Sequence, residues 1–89
     1  MSGFMEELAD MAHRTKSRFD AQFADMTELQ AAWVRHLRIE EGMSWRGVAA
    51  TCAEAWEGDW ESNQIAGMAI CERAARFFGE DYMTGEWNS

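Results

Sequence analysis

Three stretches of this sequence begin at a residue that caps helices and end at a glycine. The hydroxyl, carboxylate or amide oxygen of a capping residue accepts a hydrogen bond from the free amides of the first helical turn, and glycine readily adopts the left-handed backbone that ends a helix. The pairs are Thr27 with Gly42, Ser44 with Gly58, and Asp59 or Ser62 with Gly79. These pairs of a capping residue and a glycine predict three consecutive helices, over about 28–41, 45–56 and 62–78.

Apolar residues within these stretches recur every three or four positions, which is typical of a helix with one buried face. In the first stretch the stripe is Leu29, Ala32, Trp33, His36 and Leu37. In the second it is Trp45, Val48, Ala49, Cys52, Ala53 and Trp56. In the third it is Ala66, Gly67, Ile70, Cys71, Ala74, Phe77 and Phe78. Because this third stripe is rich in alanine and glycine, we expect another helix to approach it closely.

The N-terminal segment carries a longer stripe of the same kind. Its positions are Phe4, Leu8, Met11, Thr15, Phe19, Phe23 and Met26, six steps that span 22 residues with a mean of 3.67. That value matches a straight helix better than the 3.5 of a left-handed coiled coil. The pattern predicts an amphipathic helix over 1–26, either unbroken or divided near Asp20. Such a face also favours a homodimer through Phe4, Leu8, Met11, Phe19 and Phe23.

The composition agrees with an all-α fold. The chain of 89 residues has no proline, 47% of its residues are apolar, and no run alternates as a half-buried strand does. We therefore expect one small four-helix domain spanning residues 1–89. It comprises an N-terminal amphipathic helix over 1–26, a trihelical unit over 27–79 and an acidic tail over 80–89.

The middle of the chain contains the stretch LRIEEGMSWRGVAATCAEAW, followed after a short connection by SNQIAGMAICERAARFFG. With a glycine-ended, arginine-bearing helix before a serine-capped one, residues 29–79 resemble the helix-turn-helix of small bacterial and phage regulators. The resemblance implies that Ser44 is the cap and that Val48 and Ala49 are packing positions of the first motif helix. It places Ile65 at a packing position of the recognition helix. The alternative function that it implies is a DNA-binding transcriptional regulator, with contacts from Arg14, Lys16, Arg18, Asn63, Gln64, Arg73 and Arg76.

The charge of the chain argues for a different partner. Sixteen acidic residues against eight basic ones give a formal net charge of −8, which opposes binding to a phosphate backbone. An acidic surface suits a basic protein partner, and a third alternative is an acidic mimic of nucleic acid that inhibits a nucleic-acid-binding protein. No apolar run approaches the ~20 residues that span a bilayer. The N-terminal MSGFMEELADM is too acidic for a signal or transit peptide, so we expect a cytoplasmic protein.

Residues that could carry catalysis or hold a metal are few. Cys52, Cys71, His13 and His36 lack the paired spacing that structural zinc sites use. Both cysteines lie among alanines inside predicted helices, where a buried, reduced thiol is expected. Neighbouring acids such as Glu40 and Glu41 point about 100° apart on a helix and do not converge on a substrate. We therefore expect no enzyme activity, no catalytic residues, no metal and no cofactor.

Five tryptophans remain to be explained. Trp33, Trp45 and Trp56 fall on the helical stripes and are expected in the core. Trp60 and Trp87 fall outside any stripe. An exposed tryptophan rimmed by acids suits the binding of a basic protein partner, whereas a buried Trp60 would act as a lid over the ends of two helices. The predicted protein-binding site is Trp60, Glu57, Asp59, Glu61 and Trp87, and the expected function is that of a small acidic, non-enzymatic interaction or regulatory protein.

Overall fold

The computed structural model describes the backbone of residues 2–81, and the side chains of residue 11 and residues 13–81. The helices are α1 (Ser2–Gln22), α2 (Glu28–Arg35), α3 (Trp45–Ala55) and α4 (Gln64–Phe78), and a π-helical turn, His36–Glu40, continues α2. Residues 2–81 contain no strand. The fold is all-α, as the sequence predicts. None of the helices in this part of the chain has both the length and the apolar character needed to cross a membrane.

Local chemistry sets most of the helix ends. Thr27 and Gln30 form the predicted reciprocal capping box at the start of α2, and the Ser44 hydroxyl accepts from the amide of Gly47 at the start of α3. Gly42 and Gly79 have the left-handed backbone expected of them, with φ of 65° and 62°. The start of α4 differs from the prediction. Its cap is neither Asp59 nor Ser62 but Asn63, whose Oδ1 accepts from the amides of Ile65 and Ala66.

Helix α4 lies at the centre of the fold and packs against α1, α2 and α3. Its buried residues are small except for one isoleucine; they are Ala66, Gly67, Ala69, Ile70, Cys71, Ala74 and Ala75. The closest approach is at Gly67, where a Cβ would overlap the backbone carbonyl of Trp45. The close packing expected from the alanine-rich and glycine-rich stripe is therefore confirmed.

Helix α2 faces the core with a different set of residues from the predicted stripe. Its buried residues are Ala31 and Val34, and Leu37 follows in the π-helical turn. Leu29, which the stripe assigned to the core, is 83% exposed. The predicted stripe is confirmed at Leu37 and wrong at Leu29, Ala32 and His36, which are exposed, because a second apolar row, shifted around the helix, meets α4.

The π-helical turn also buries a charge. Arg38 lies wholly inside the fold. Its guanidinium donates to the carbonyl of Met43 and lies 5.1 Å from the ring centre of Trp45. Burial lowers the pKa of Arg38. This side chain thus joins the end of the π-helical turn to the beginning of α3.

Helix α1 contributes its C-terminal part to the core. Phe19, Phe23 and Met26 are buried, and the helix ends at Gln22 so that Phe23 and Met26 lie in the turn that leads to α2. Of the predicted dimer face, Phe19 and Phe23 pack inside this chain and are not available to a second copy. Met11 is 60% exposed, whereas the side chains of Phe4 and Leu8 lie outside the described residues.

Candidate protein-binding surface

Trp60 lies in the core. Its side chain therefore fits the predicted role of a lid over helix ends and not that of an exposed anchor. It is 8% exposed, its Nε1 donates to the carbonyl of Ala49 at 3.0 Å, and its indole meets the ring of Phe23 edge to face at 5.0 Å. The indole is seated directly on Gly58, where a Cβ would overlap the six-membered ring. The predicted role of Trp60 as an exposed anchor is thereby corrected: the indole closes the core between α1 and α3.

Gly58 does not end α3 in the predicted way. The left-handed residue after the helix is Glu57, with φ of 54°, and the amide of Gly58 donates to the carbonyl of Ala53 at 2.8 Å. This is the hydrogen-bond pattern of a Schellman ending. Glycine at position 58 is required for space, because the Trp60 indole occupies the room that a side chain would take.

The acids predicted to surround Trp60 are on the surface. Glu57, Asp59 and Glu61 are exposed. Trp87, the remaining member of the predicted site, lies outside the described residues. Of the five residues, the structure therefore places three acids on the surface and one indole beneath them.

Phe77 and Phe78, which the sequence assigned to the buried face of α4, are exposed at its C-terminal end. A second, partly exposed aromatic surface lies at the junction of α2 and α3. Trp33 and Trp56 are half-buried and meet edge to face, with ring centres 5.8 Å apart. Leu29 is one turn before Trp33 on the same side of α2, because residues four apart share a helix face. We call Leu29, Ala32, Trp33 and Trp56 the tryptophan face. Both tryptophans touch the core, as predicted, and yet leave part of their rings open to a partner.

A pocket of about 290 Å³ adjoins this face and shares Trp56 with it. Apolar side chains of Phe23, Met26 and Trp60 also line the pocket, and two carboxylates, Asp25 and Glu57, stand among the lining residues. The remaining lining residues are Gln22, Gln30 and Gly58. None of the described residues that line it is a lysine, arginine or histidine. Its described lining therefore combines apolar side chains with two negative charges.

Three of the cations assigned to the DNA-binding alternative make polar contacts within this chain. Lys16 pairs with both Asp20 and Glu72, at 3.2 Å and 3.1 Å, and Arg76 pairs with the same Glu72 at 3.4 Å. The guanidinium of Arg73 donates to the carbonyl of Ala24 at 2.9 Å. Lys16 and Arg76 share the Glu72 carboxylate, which offsets part of their positive charge, whereas Arg73 is held by a backbone carbonyl and keeps its charge.

Two other members of that alternative set, Arg18 and Asn63, line one pocket together with Asp59. Arg14 and Arg18 are exposed on α1, and Arg18 lies 5.5 Å from the ring centre of Phe19. Asn63 uses its side-chain oxygen as the cap of α4. Gln64 is half-buried at the first turn. Helix α4 itself is covered on several sides by the rest of the fold.

The two thiols lie inside the core and the described imidazoles lie on the surface. Cys52 and Cys71 are free and buried, as predicted, and burial raises the pKa of each to about 12. His36 is exposed and lies 3.1 Å from a carboxylate oxygen of Glu41. Within the described residues no group of three or more histidine, cysteine or acidic side chains could hold a metal ion.

Comparison of the chain with protein-family models, with curated proteins and with solved structures found no match. Its function is therefore to be inferred from its own surface, which includes the tryptophan face and the pocket beside it.

Proposed function

We propose that this chain is a small acidic, non-enzymatic protein that binds another protein through the tryptophan face. The observation that carries the proposal is the position of Leu29, which is 83% exposed beside two half-buried tryptophans. Exposed leucine and tryptophan leave water when a partner covers them, and tryptophan is enriched among the residues that dominate binding energy. The predicted protein-binding role thus moves from Trp60 to Leu29, Trp33 and Trp56.

The net charge of −8 supports the same proposal. Acids around an apolar centre steer a basic partner toward the surface and repel acidic ones. The DNA-binding alternative has weaker support, because Lys16, Arg73 and Arg76 are engaged by carboxylates and a carbonyl of this chain. A mobility-shift assay over a range of salt concentrations tests that alternative, since phosphate contacts weaken steeply with ionic strength.

The experiment that tests protein binding compares two substitutions of exposed apolar residues. The wild-type chain, Leu29→Asp and Met11→Asp are immobilised and exposed to an extract of the cells that naturally make this protein. Met11 is the matched control because it too is a large exposed side chain, 60% exposed, on a different helix. We expect one or more proteins to be retained by the wild type and by Met11→Asp and lost with Leu29→Asp. Retention that is the same for all three chains contradicts the proposal.

A further inference from the structure

The pocket beside the tryptophan face differs from that face in its charge. Five of its lining residues come from two helix ends: Gln22, Phe23 and Asp25 from the end of α1, and Trp56 and Glu57 from the end of α3. The C-terminal end of a helix carries about half a negative elementary charge. Arg73 donates to the Ala24 carbonyl just past the end of α1, and the Gly58 amide donates to the Ala53 carbonyl at the end of α3, so both end charges are partly offset. The negative charge at the pocket therefore comes mainly from the carboxylates of Asp25 and Glu57.

The positive groups near this pocket include Arg18, which lines an adjoining pocket that shares Gln22 and Trp60 with this one. The start of α2 also borders it through Gln30, but the free amide of Gln30 is occupied by the Thr27 hydroxyl and the amide of Thr27 by the Gln30 side chain. Arg73 reaches the carbonyl of Ala24 from the side of α4 and does not line the pocket. The balance of charge at the pocket is negative.

An apolar interior with a negative border matches a long cationic side chain. Lysine and arginine carry three or four methylene groups that pack against apolar surface while the charged end stays at the polar edge. Phe23, Met26 and Trp56 would contact the methylenes, and Asp25 and Glu57 would face the charge. A second copy of this chain is disfavoured as the occupant, because two chains of net charge −8 repel each other.

We propose that the pocket receives a lysine or arginine side chain of the partner protein, presented by an amphipathic helix whose apolar residues cover the tryptophan face. This inference rests on the proposed function. A helix suits the arrangement because the pocket and the face share Trp56, and side chains one helical turn apart are about 5–6 Å from each other. The cation fixes the register of the helix, and the apolar residues supply the buried area.

The test uses three labelled helical peptides of about 18 residues, long enough for measurable helicity in water. The first carries leucines at i, i+4 and i+7 with lysines flanking them. The second replaces the lysines with glutamine, and the third keeps the lysines and replaces the leucines with alanine. Binding is measured by fluorescence anisotropy at low and high salt. We expect the first peptide to bind most tightly, about fivefold more tightly than the glutamine peptide, and this advantage to shrink at high salt.

A pair of double variants locates the charge effect. Asp25→Asn with Glu57→Gln removes two charges at the pocket, and Glu54→Gln with Glu61→Gln removes two from another pocket. We expect the first pair to abolish the lysine advantage and the second to leave most of it. Equal effects of the two pairs, or no lysine advantage in the wild type, overturn this inference.

The leucine dependence separates this inference from the proposed function. If Leu29→Asp prevents binding of the leucine peptides while charge has no effect, the tryptophan face binds and the cation site is wrong. If no peptide binding depends on leucine or on Leu29, both proposals fail. Self-association of the wild type that Leu29→Asp abolishes shows a second copy on the face and overturns the inference as well.

Discussion

The indole of Trp60 occupies the space that the Cβ of any residue other than glycine would need at position 58. We therefore expect Gly58→Ala to lower the free energy of unfolding by about 1–3 kcal/mol, the usual range for overpacking a core. Gly47→Ala is the control, since a Cβ there meets no atom closer than 3.5 Å. Because it lies inside α3, that change is expected to raise the stability by about 0.4–1 kcal/mol. Urea unfolding of both variants measures the two effects.

A double variant shows whether the indole is the cause. Trp60→Ala alone is expected to cost about 3–5 kcal/mol, as for other buried aromatic residues. In that background Gly58→Ala should cost much less than it does in the wild type, because the overlapping ring is gone. Additive losses would mean that the backbone at position 58, and not the Trp60 ring, requires glycine.

The same substitution at two leucines tests which side of α2 faces the core. Leu37→Ala is expected to cost about 2–5 kcal/mol, because Leu37 is only 4% exposed. Leu29→Ala is expected to stay within about 0.5 kcal/mol of the wild type, because Leu29 is exposed. Thermal or urea unfolding distinguishes the two. Equal losses would restore the stripe predicted from the sequence.

The buried thiols predict a dependence of stability on alkaline pH. Burial raises the pKa of Cys52 and Cys71 from 9.0 to about 12. The folded chain therefore keeps protons that the unfolded chain releases. The stabilisation is complete below pH 9 and is lost as the pH rises from 9 to about 12. Urea unfolding at several pH values measures this loss, and Cys52→Ala with Cys71→Ala should flatten the curve relative to the wild type.

Alkylation provides an independent check on the same thiols. Iodoacetamide at pH 8 should leave both cysteines unmodified in the folded chain and modify both in denaturant, because the thiolate is the reactive form and burial disfavours it. Rapid native-state reaction of either cysteine would contradict the buried positions.

Replacing the buried Arg38 is expected to lower the free energy of unfolding more than replacing an exposed arginine. Arg38→Ala removes the donor to the Met43 carbonyl and the cation beside Trp45, and we expect it to cost about 3 kcal/mol. Arg46→Ala is the control, because Arg46 is exposed on α3 and should change the stability by less than about 0.5 kcal/mol. Arg38→Met retains most of the side-chain volume and should recover part of the loss. Equal stabilities of the two alanine variants would exclude a structural role for Arg38.

Residues that act on their own backbone neighbours could be interpreted from the sequence. Thr27 and Ser44 cap helices with hydroxyls that reach amides three residues away, and Gly42 and Gly79 supply left-handed backbone. These interactions need no knowledge of the rest of the fold. The cap of α4 shows the limit of this reasoning, since Ser62 and Asn63 are adjacent and both are good caps.

The buried face of α2 could not be deduced in the same way. The helix carries two apolar rows, one through Leu29 and Trp33 and the other through Ala31 and Val34, and periodicity fits either. The position of α4 decides between them, and it is a tertiary fact. The π-helical turn adds one residue to the helical turn that follows α2. The spacing of apolar residues in the sequence indicates neither this turn nor the burial of Arg38.

The candidate site was missed for the same reason. Leu29 and Trp33 were assigned to the core because they are apolar and periodic, which left Trp60 as the unexplained indole. The structure places Trp60 in the core and Leu29 on the surface, and Trp33 is partly buried against the core. A second apolar row on a short helix is the signal that could have indicated a surface for a partner.

The contact between Gly67 and the carbonyl of Trp45 limits how this fold can change over evolution. Every replacement of glycine adds at least one carbon, so no single codon change at position 67 keeps α3 and α4 at their present separation. Substitutions at position 67 therefore cannot change the distance between α3 and α4 in small steps. We expect chains that share this fold to retain glycine there and to vary the segment between the two helices instead.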